Sequence, residues 1–283
     1  MDDGRAKIIL KSENELIAIY KDAYIRLLER IQYNNVRNID NRHLKALLAD
    51  VKSILTGLSK DTKSWIEENT PKIYQVGVDI ATDEFAKAGL SGSFAKINRS
   101  AVEILSADMF NDLTMGINNT SASLQNQLRK IALQSVQNRL ILGQSTNQSA
   151  SEMYNSMVKN GLTSLKDRQG KRWDILTYST MIIRTKTREM VTRGTVNTMI
   201  MAGEKYEDEL LFDLVRISEH RGSCPICMPF QGKVYSISGR NKDYPKLTKF
   251  TPYHPNCRHV TTPFFERLYK GDVSELRKFS VGD

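Results

Sequence analysis

All three cysteines and three of the four histidines of this 283-residue chain lie between residues 220 and 259. The order is His220, then Cys224-Pro-Ile-Cys227, then 26 intervening residues, then His254-Pro-Asn-Cys257-Arg-His259. A CxxC knuckle offers two thiolates to one ion from a tight turn, and an HxxC pair adds two ligands from a second turn, completing the tetrahedron of a structural zinc site. Cys224, Cys227, His254 and Cys257 are therefore the predicted Zn2+ ligands, and His220 and His259 are alternates that would each replace one of the four. A catalytic zinc would keep a position open for water and a carboxylate base nearby. Here Glu219 is the only close acid in sequence, and it has no HExxH context. A clamp would hold a segment of about 60 residues that could barely sustain a core alone. Two other readings of the same residues stay open. The cysteines would be reduced and packed, with histidines hydrogen-bonded to turns; or Cys224–Cys227 would be a redox pair, or a cysteine would be a nucleophile with a histidine base. No βαβ pattern surrounds the CxxC, which weakens the redox reading. His43 reads as an ordinary, partly exposed helical histidine.

Upstream the periodicity is helical. Leu47, Leu48, Val51, Ile54, Leu55 and Leu58 recur at three and four residues and predict one apolar stripe. Leu16, Ile17, Tyr20, Ala23, Tyr24, Leu27, Leu28 and Ile31 supply a matching face, so an αα-hairpin turning at Asn34-Asn35 is expected. Asn69-Thr70-Pro71 reads as a fresh helix start, with Thr70 as N-cap and proline in the first turn. Gly89 to Ser93 reads as a loop and Asn118 to Ser121 as a further break. A polar helix is expected through Leu124, Leu128, Ile131, Val136 and Leu140, then a short one from Ser149 or Ser151 to Gly161, then a long one over roughly 176–204. Beyond Glu209 the segments LFDLVRIS, GKVYSIS and HVTTPF are short and alternating or β-branched, so they read as strands. The predicted fold is mainly α with a small C-terminal α+β domain: an elongated antiparallel helical body over 1–205, then a Cys/His-rich module containing a β-hairpin over 206–283.

The longest apolar runs fall far short of the roughly 20 residues a membrane span needs. The opening MDDGRAKIILKSENE has two acids and no apolar core before a cleavage site, so no secretory signal is expected. The net charge of +9 is unevenly spread. Residues 1–100 hold 16 Lys/Arg against 14 Asp/Glu, 159–193 hold nine against three, and 216–259 hold eight against two. The excess in the second half suits a solvated face, nucleic acid or an acidic protein surface. Arg184, Lys186, Arg188 and Arg193 read either as a solvated helix face or as a face laid along DNA phosphates. Arg172 and Trp173, with Tyr178, read either as a recognition surface or as an aromatic anchor of the helical body on the Cys/His module. No P-loop, GxSxG or GxGxxG occurs, and no carboxylate pair makes a case for catalysis.

The run Glu219-His220-Arg221-Gly222-Ser223-Cys224-Pro225-Ile226-Cys227, then Gln231-Gly232-Lys233-Val234-Tyr235, then His254-Pro255-Asn256-Cys257-Arg258-His259, resembles the C-terminal signature of phage minor capsid protein 2 and related phage Mu F-type head proteins. Asp167-Arg168, Gly170-Lys171-Arg172-Trp173, Tyr178, Met181, Arg184-Thr185 and Thr187 resemble that family's central segment. Many relatives carry a cysteine where His259 stands, which leaves a different metal set, or none, open. The resemblance implies a non-enzymatic, low-copy virion protein inside the capsid near the portal, made in the host cytoplasm. It would associate with portal protein and other head proteins, in multiple copies around the portal, and contribute to head assembly and to DNA packaging or ejection. The rival reading is a zinc-containing nucleic-acid-binding protein acting outside the virion. An enzymatic reading is disfavoured because the chain ends about 24 residues after His259, too few for the toxin or transferase domains fused to related modules.

Overall fold

A computed structural model describes residues 3–33, 41–90, 92, 97–142, 164–166 and 172–277. It is mostly helical, with a small C-terminal antiparallel sheet, as the sequence predicts. The elements are α1 (Asp3–Tyr33), α2 (Asn41–Lys87), α3 (Arg99–Leu142), β1 (Ser164–Lys166), β2 (Arg172–Asp174), α4 (Ile175–Tyr206), β3 (Leu214–Ile217), β4 (Val234–Ser236), β5 (Thr261–Pro263), a 3-10 turn over Glu266–Leu268 and α5 (Val273–Arg277). The chain groups into two compact units: residues 14–66 with 109–182, and residues 1–13 with 67–108 and 183–283.

The first unit holds the predicted helix pair. Leu16, Tyr20, Ala23, Leu27 and Ile31 of α1 are buried, as are Leu47, Val51, Ile54, Leu55 and Leu58 of α2. The pair runs antiparallel. Thr62 donates to the Tyr20 hydroxyl at 3.3 Å near one end, and Arg30 lies 3.8 Å from Asp50 near the other. The expected turn at Asn34-Asn35 and the short helix ending at Gly161 fall outside the described residues. α3 adds Met109, Leu113, Ile117, Leu124 and Leu128 to the apolar interior. β1 and β2 form an antiparallel pair, Leu165 opposite Trp173.

Two sequence expectations are corrected. No helix starts at Pro71, because α2 continues through it, and Thr70 is a buried interior residue whose hydroxyl has no hydrogen-bond partner among the described residues. An interior proline costs roughly 3 kcal/mol and one backbone hydrogen bond. Burial of Ile66, Asn69, Ile73 and Tyr74 on either side outweighs that cost. The break at Asn118–Ser121 is also absent. α3 runs straight across it, because Ile117, Thr120, Leu124 and Leu128 are buried at helical spacing. The loop beginning at Gly89 is present where described. Gly89 adopts φ 68°, and the Leu90 N–H donates to the Phe85 carbonyl at 2.9 Å, closing α2 with a left-handed cap. α4 begins on an aspartate cap, Thr177 N–H donating to Asp174 Oδ1 at 2.8 Å.

The second unit contains the sheet, ordered β4-β3-β5 with both pairs antiparallel. One apolar cluster joins Ala81 and Phe85 of α2, Ala88 in the turn after it, Met199 and Ala202 of α4, and Phe212, Val215, Ile217, Cys227, Tyr235, Tyr253, Cys257 and Phe265. Phe85 meets Phe212 and Phe265 edge to face, with centroids 5.0 and 6.0 Å apart. α2 and α4 cross at glycines. A Cβ on Gly77 would lie 2.0 Å from the Val191 carbonyl oxygen, and one on Gly194 would lie 2.3 Å from that of Tyr74. Thr195 Oγ1 donates to the Gly77 carbonyl at 3.0 Å across the crossing.

The chain's last described helix is tied back by Arg277, which grips both Glu266 oxygens at 2.5 and 2.7 Å, while the Tyr244 hydroxyl donates to Glu266 at 2.7 Å. Arg277 beside it, more than Tyr244, holds the Glu266 carboxyl below its ordinary value. A depressed carboxylate stabilises the fold fully above the unfolded pKa of about 4.3, and that contribution fades as pH falls through the lower folded value. Glu266→Gln is expected to flatten the acid limb of stability. Urea midpoints of the variant and the parent should converge as pH drops from about 7 to about 3; a constant gap would rule this out.

Candidate metal centre

The loop after β3 folds as a knuckle because Cys224 offers its carbonyl to two amides, those of Cys227 and Met228, each at 3.0 Å. Gly222 precedes it at φ 71°, a left-handed position that favours glycine. The turn carrying His254-Pro255-Asn256-Cys257 closes with Cys257 N–H donating to the His254 carbonyl at 3.1 Å. Asn256 takes the left-handed position there, at φ 61°, which asparagine tolerates better than most residues. Its N–H donates to Thr185 Oγ1 on α4 at 3.2 Å, which anchors the second turn to the helix.

The two turns bring five of the six predicted ligands together. Cys224 Sγ lies 3.2 Å and Cys227 Sγ 3.1 Å from His254 Nε2; Cys227 Sγ lies 3.6 Å from Cys257 Sγ, which is 3.7 Å from His259 Nδ1. A tetrahedral zinc with bonds of about 2.3 Å to sulfur and about 2.0 Å to nitrogen has ligand–ligand edges of about 3.5–3.8 Å. The Cys227–Cys257 and Cys257–His259 edges match that range, the two to His254 Nε2 are shorter, and the donor types, thiolate and imidazole, are those that could hold such an ion. Two overlapping groups result, Cys224, Cys227 and His254, and Cys227, Cys257 and His259, each with its ligand atoms within 4.8 Å of one another. Cys227 belongs to both. The cysteines are free thiols, Cys227 and Cys257 buried and Cys224 half-buried.

The histidines are oriented by their other nitrogens. His254 Nδ1 is 2.7 Å from the Pro255 carbonyl oxygen, which can only accept, so Nδ1 carries the proton and the Nε2 lone pair faces two sulfurs. His259 Nε2 sits 3.2 Å from Ser223 Oγ and 3.4 Å from Gln231 Oε1, leaving Nδ1 toward Cys257. Burial, then His220, then His254 lower the His259 pKa. His220 joins neither group. Its Nε2 pairs with Ser218 Oγ at 3.0 Å and its ring stands edge-on to His259, centroids 4.8 Å apart. Knuckle amides, that of Cys227 first, lower the Cys224 thiol pKa. Burial, then Cys257 and Cys224, push the Cys227 thiol up to about 12. A bound cation reverses that second effect, because a coordinated thiol gives up its proton.

Sequence reasoning overlooked Ser218, Ser223 and Gln231. Gln231 Oε1 accepts from the His220 amide at 3.2 Å and from the Ser223 hydroxyl, joining the knuckle to both outer histidines. Ser223 and Gln231 stood in sequence only as letters of the Cys/His signature, and Ser218 lies just ahead of it. The predicted basic residues are dispersed along α4. Arg184 is exposed and Arg188 half-buried; Lys186 pairs with Asp108 and lies 3.6 Å from Glu189; Arg193 lies over the Phe250 ring, 5.2 Å from its centroid. Arg172 and Trp173 lie on β2, and Trp173 is half-buried.

A family model described as phage minor capsid protein 2 matches residues 29–277, from the end of α1 through both cysteine turns to α5. The chain belongs to that family. This minor capsid protein is thus a structural component of a phage capsid, and its Cys/His cluster has the donors and spacing to bind a metal ion. No curated protein and no solved structure matches it. Among the described residues, no helix is long and apolar enough to cross a membrane.

Proposed function

We propose that this minor capsid protein works inside the phage head close to the portal, in multiple copies around the ring, and contributes to head assembly and to DNA packaging or ejection. The family match over residues 29–277 carries this reading, because it spans the helices and the Cys/His turns as one unit of likeness. Kinship with phage Mu F-type head proteins, suggested by the Cys/His signature, is part of the same proposal. Long helices give rigid area for docking, and repetition around a ring multiplies each weak contact. Residues 1–205 act as the docking body on portal protein or neighbouring copies, and the basic residues of the C-terminal half face DNA.

Zinc holds the C-terminal module, with Cys224, Cys227, His254 and Cys257 as ligands and His259 beside them as the alternate. Four such ligands leave no open position, so the ion would fix the two turns and perform no chemistry. Acid and chelators would release it, because protons compete for the thiolates.

Cross-linking of purified proheads, read by mass spectrometry, tests the placement. Cross-links from this chain to portal protein, at a copy number small against the major shell protein, are expected. Cross-links confined to shell proteins, or absence from proheads, would overturn it.

A further inference from the structure

Besides the metal turns, the second unit has one cleft with an unusual charge arrangement. It measures about 320 Å3 and is lined by α4 residues Thr185, Glu189 and Arg193 and by the loop Thr248-Lys249-Phe250-Thr251-Pro252. Its two cations are held by neutral groups. The Arg193 guanidinium lies over the Phe250 ring, and Lys249 Nζ donates to the Tyr253 carbonyl at 2.7 Å. Neither makes an ion pair among the described residues, whereas Lys186, Arg216, Arg240 and Arg277 are each paired with carboxylates. Glu189, one turn before Arg193, faces Lys186 instead at 3.6 Å.

Stacking and a carbonyl anchor fix position without neutralising charge. A guanidinium lying on a ring face keeps its N–H fork in its own plane, the geometry that grips two oxygens of a phosphate. Lys249 has two further N–H donors beyond the one given to Tyr253. Threonine hydroxyls at Thr185 and Thr248 add groups of the kind that contact phosphate oxygens. The volume is ample for a phosphate and far below that of a folded peptide segment.

We propose that this cleft is a phosphate-ester subsite, in which Arg193 and Lys249 hold one backbone phosphate of duplex DNA. The inference rests on the DNA-facing reading above and narrows it to one place on α4. Cations engaged with phosphates release counterions, so the logarithm of affinity should fall with the logarithm of salt by roughly 0.9 per contact.

The test is fluorescence anisotropy of a short labelled duplex with the full-length protein, at about 50 to 200 mM salt. It compares the parent with Arg193→Gln/Lys249→Gln and with Arg184→Gln/Arg188→Gln, after thermal unfolding shows both variants as stable as the parent. The cleft variant is expected to bind at least about 10-fold more weakly, with the salt slope reduced by roughly one. Unchanged affinity and slope in that variant, with loss in the Arg184/Arg188 variant, would overturn the cleft while DNA binding stands. No duplex binding by the parent at the lowest salt would overturn both. Inorganic phosphate and a mononucleotide are the competitors. Displacement of the duplex only at high millimolar concentrations supports the backbone assignment, and displacement at micromolar concentrations would make a small phosphate ester the ligand and overturn the DNA assignment.

Discussion

Cys227→Ala is expected to abolish metal binding and unfold the C-terminal sheet. Cys227 is the choice because both ligand groups include it, so the result holds whichever histidine coordinates. Structural zinc sites contribute about 10–16 kcal/mol of apparent binding energy in small domains, as much as the whole stability of an ordinary one. If the thiols merely pack, the same change removes one small buried side chain and costs about 1–2 kcal/mol. Metal content per chain after purification without added zinc, read with a chelator titration of stability, separates the two. About one zinc per chain in the parent, none in the variant and loss of the sheet's circular-dichroism signal are expected. A metal-free parent with a mildly destabilised variant would mean that the sulfurs pack for shape alone. His254→Ala and His259→Ala then identify the nitrogen ligand, and the Pro255 hydrogen bond predicts the larger loss for His254.

Gly77→Ala is expected to cost at least about 3 kcal/mol, far more than a surface glycine substitution inside a helix. The added carbon would collide with the Val191 carbonyl and also lie 2.8 Å from the Thr195 amide; both are backbone atoms that no rotamer change can move aside. α2 and α4 must therefore separate, and the Thr195 hydrogen bond to the Gly77 carbonyl is lost with the separation. At Gly57, also within α2, an added Cβ would meet nothing within 4 Å, so Gly57→Ala is the control and should be neutral or slightly stabilising. Urea unfolding of the three proteins checks this. Because Gly77 and Gly194 meet at one crossing, the double alanine variant should cost less than the sum of the singles. Full additivity, or a Gly77→Ala cost equal to that of Gly57→Ala, would sink the account.

Periodicity made the antiparallel helix pair legible, since Leu47 to Leu58 and Leu16 to Ile31 each form a stripe that must be covered by another helix. It failed at Pro71 and Asn118, where local signals said stop. Propensity is worth up to about 0.7 kcal/mol per residue for ordinary types and about 3 for proline, and buried neighbours several positions away outweigh it without altering the local pattern. The β1–β2 pair escaped notice because three-residue strands carry no readable alternation. At the site, residue type and spacing brought out five clustered side chains that could hold a metal ion, but not their ranking. That ranking depends on which nitrogen of each ring is already engaged, by Pro255 for His254 and by Ser223 and Gln231 for His259, and spacing does not encode this. Likewise, four basic residues on α4 looked equivalent as letters. In the fold Lys186 faces carboxylates while Arg193 rests on a ring.

The aromatic cluster around Phe85 sets a schedule for synthesis. Phe85 leaves the ribosome long before Phe212 and longer still before Phe265, the two rings it finally meets. At about 5–20 residues per second, the wait for Phe265 is on the order of 10–35 s. Throughout that interval Ala81, Phe85 and Ala88 await those two rings as apolar surface, open to chaperones or to sister chains on the same messenger. Chains broken off before Phe265 would lack that ring contact altogether and so lie more open to proteolysis.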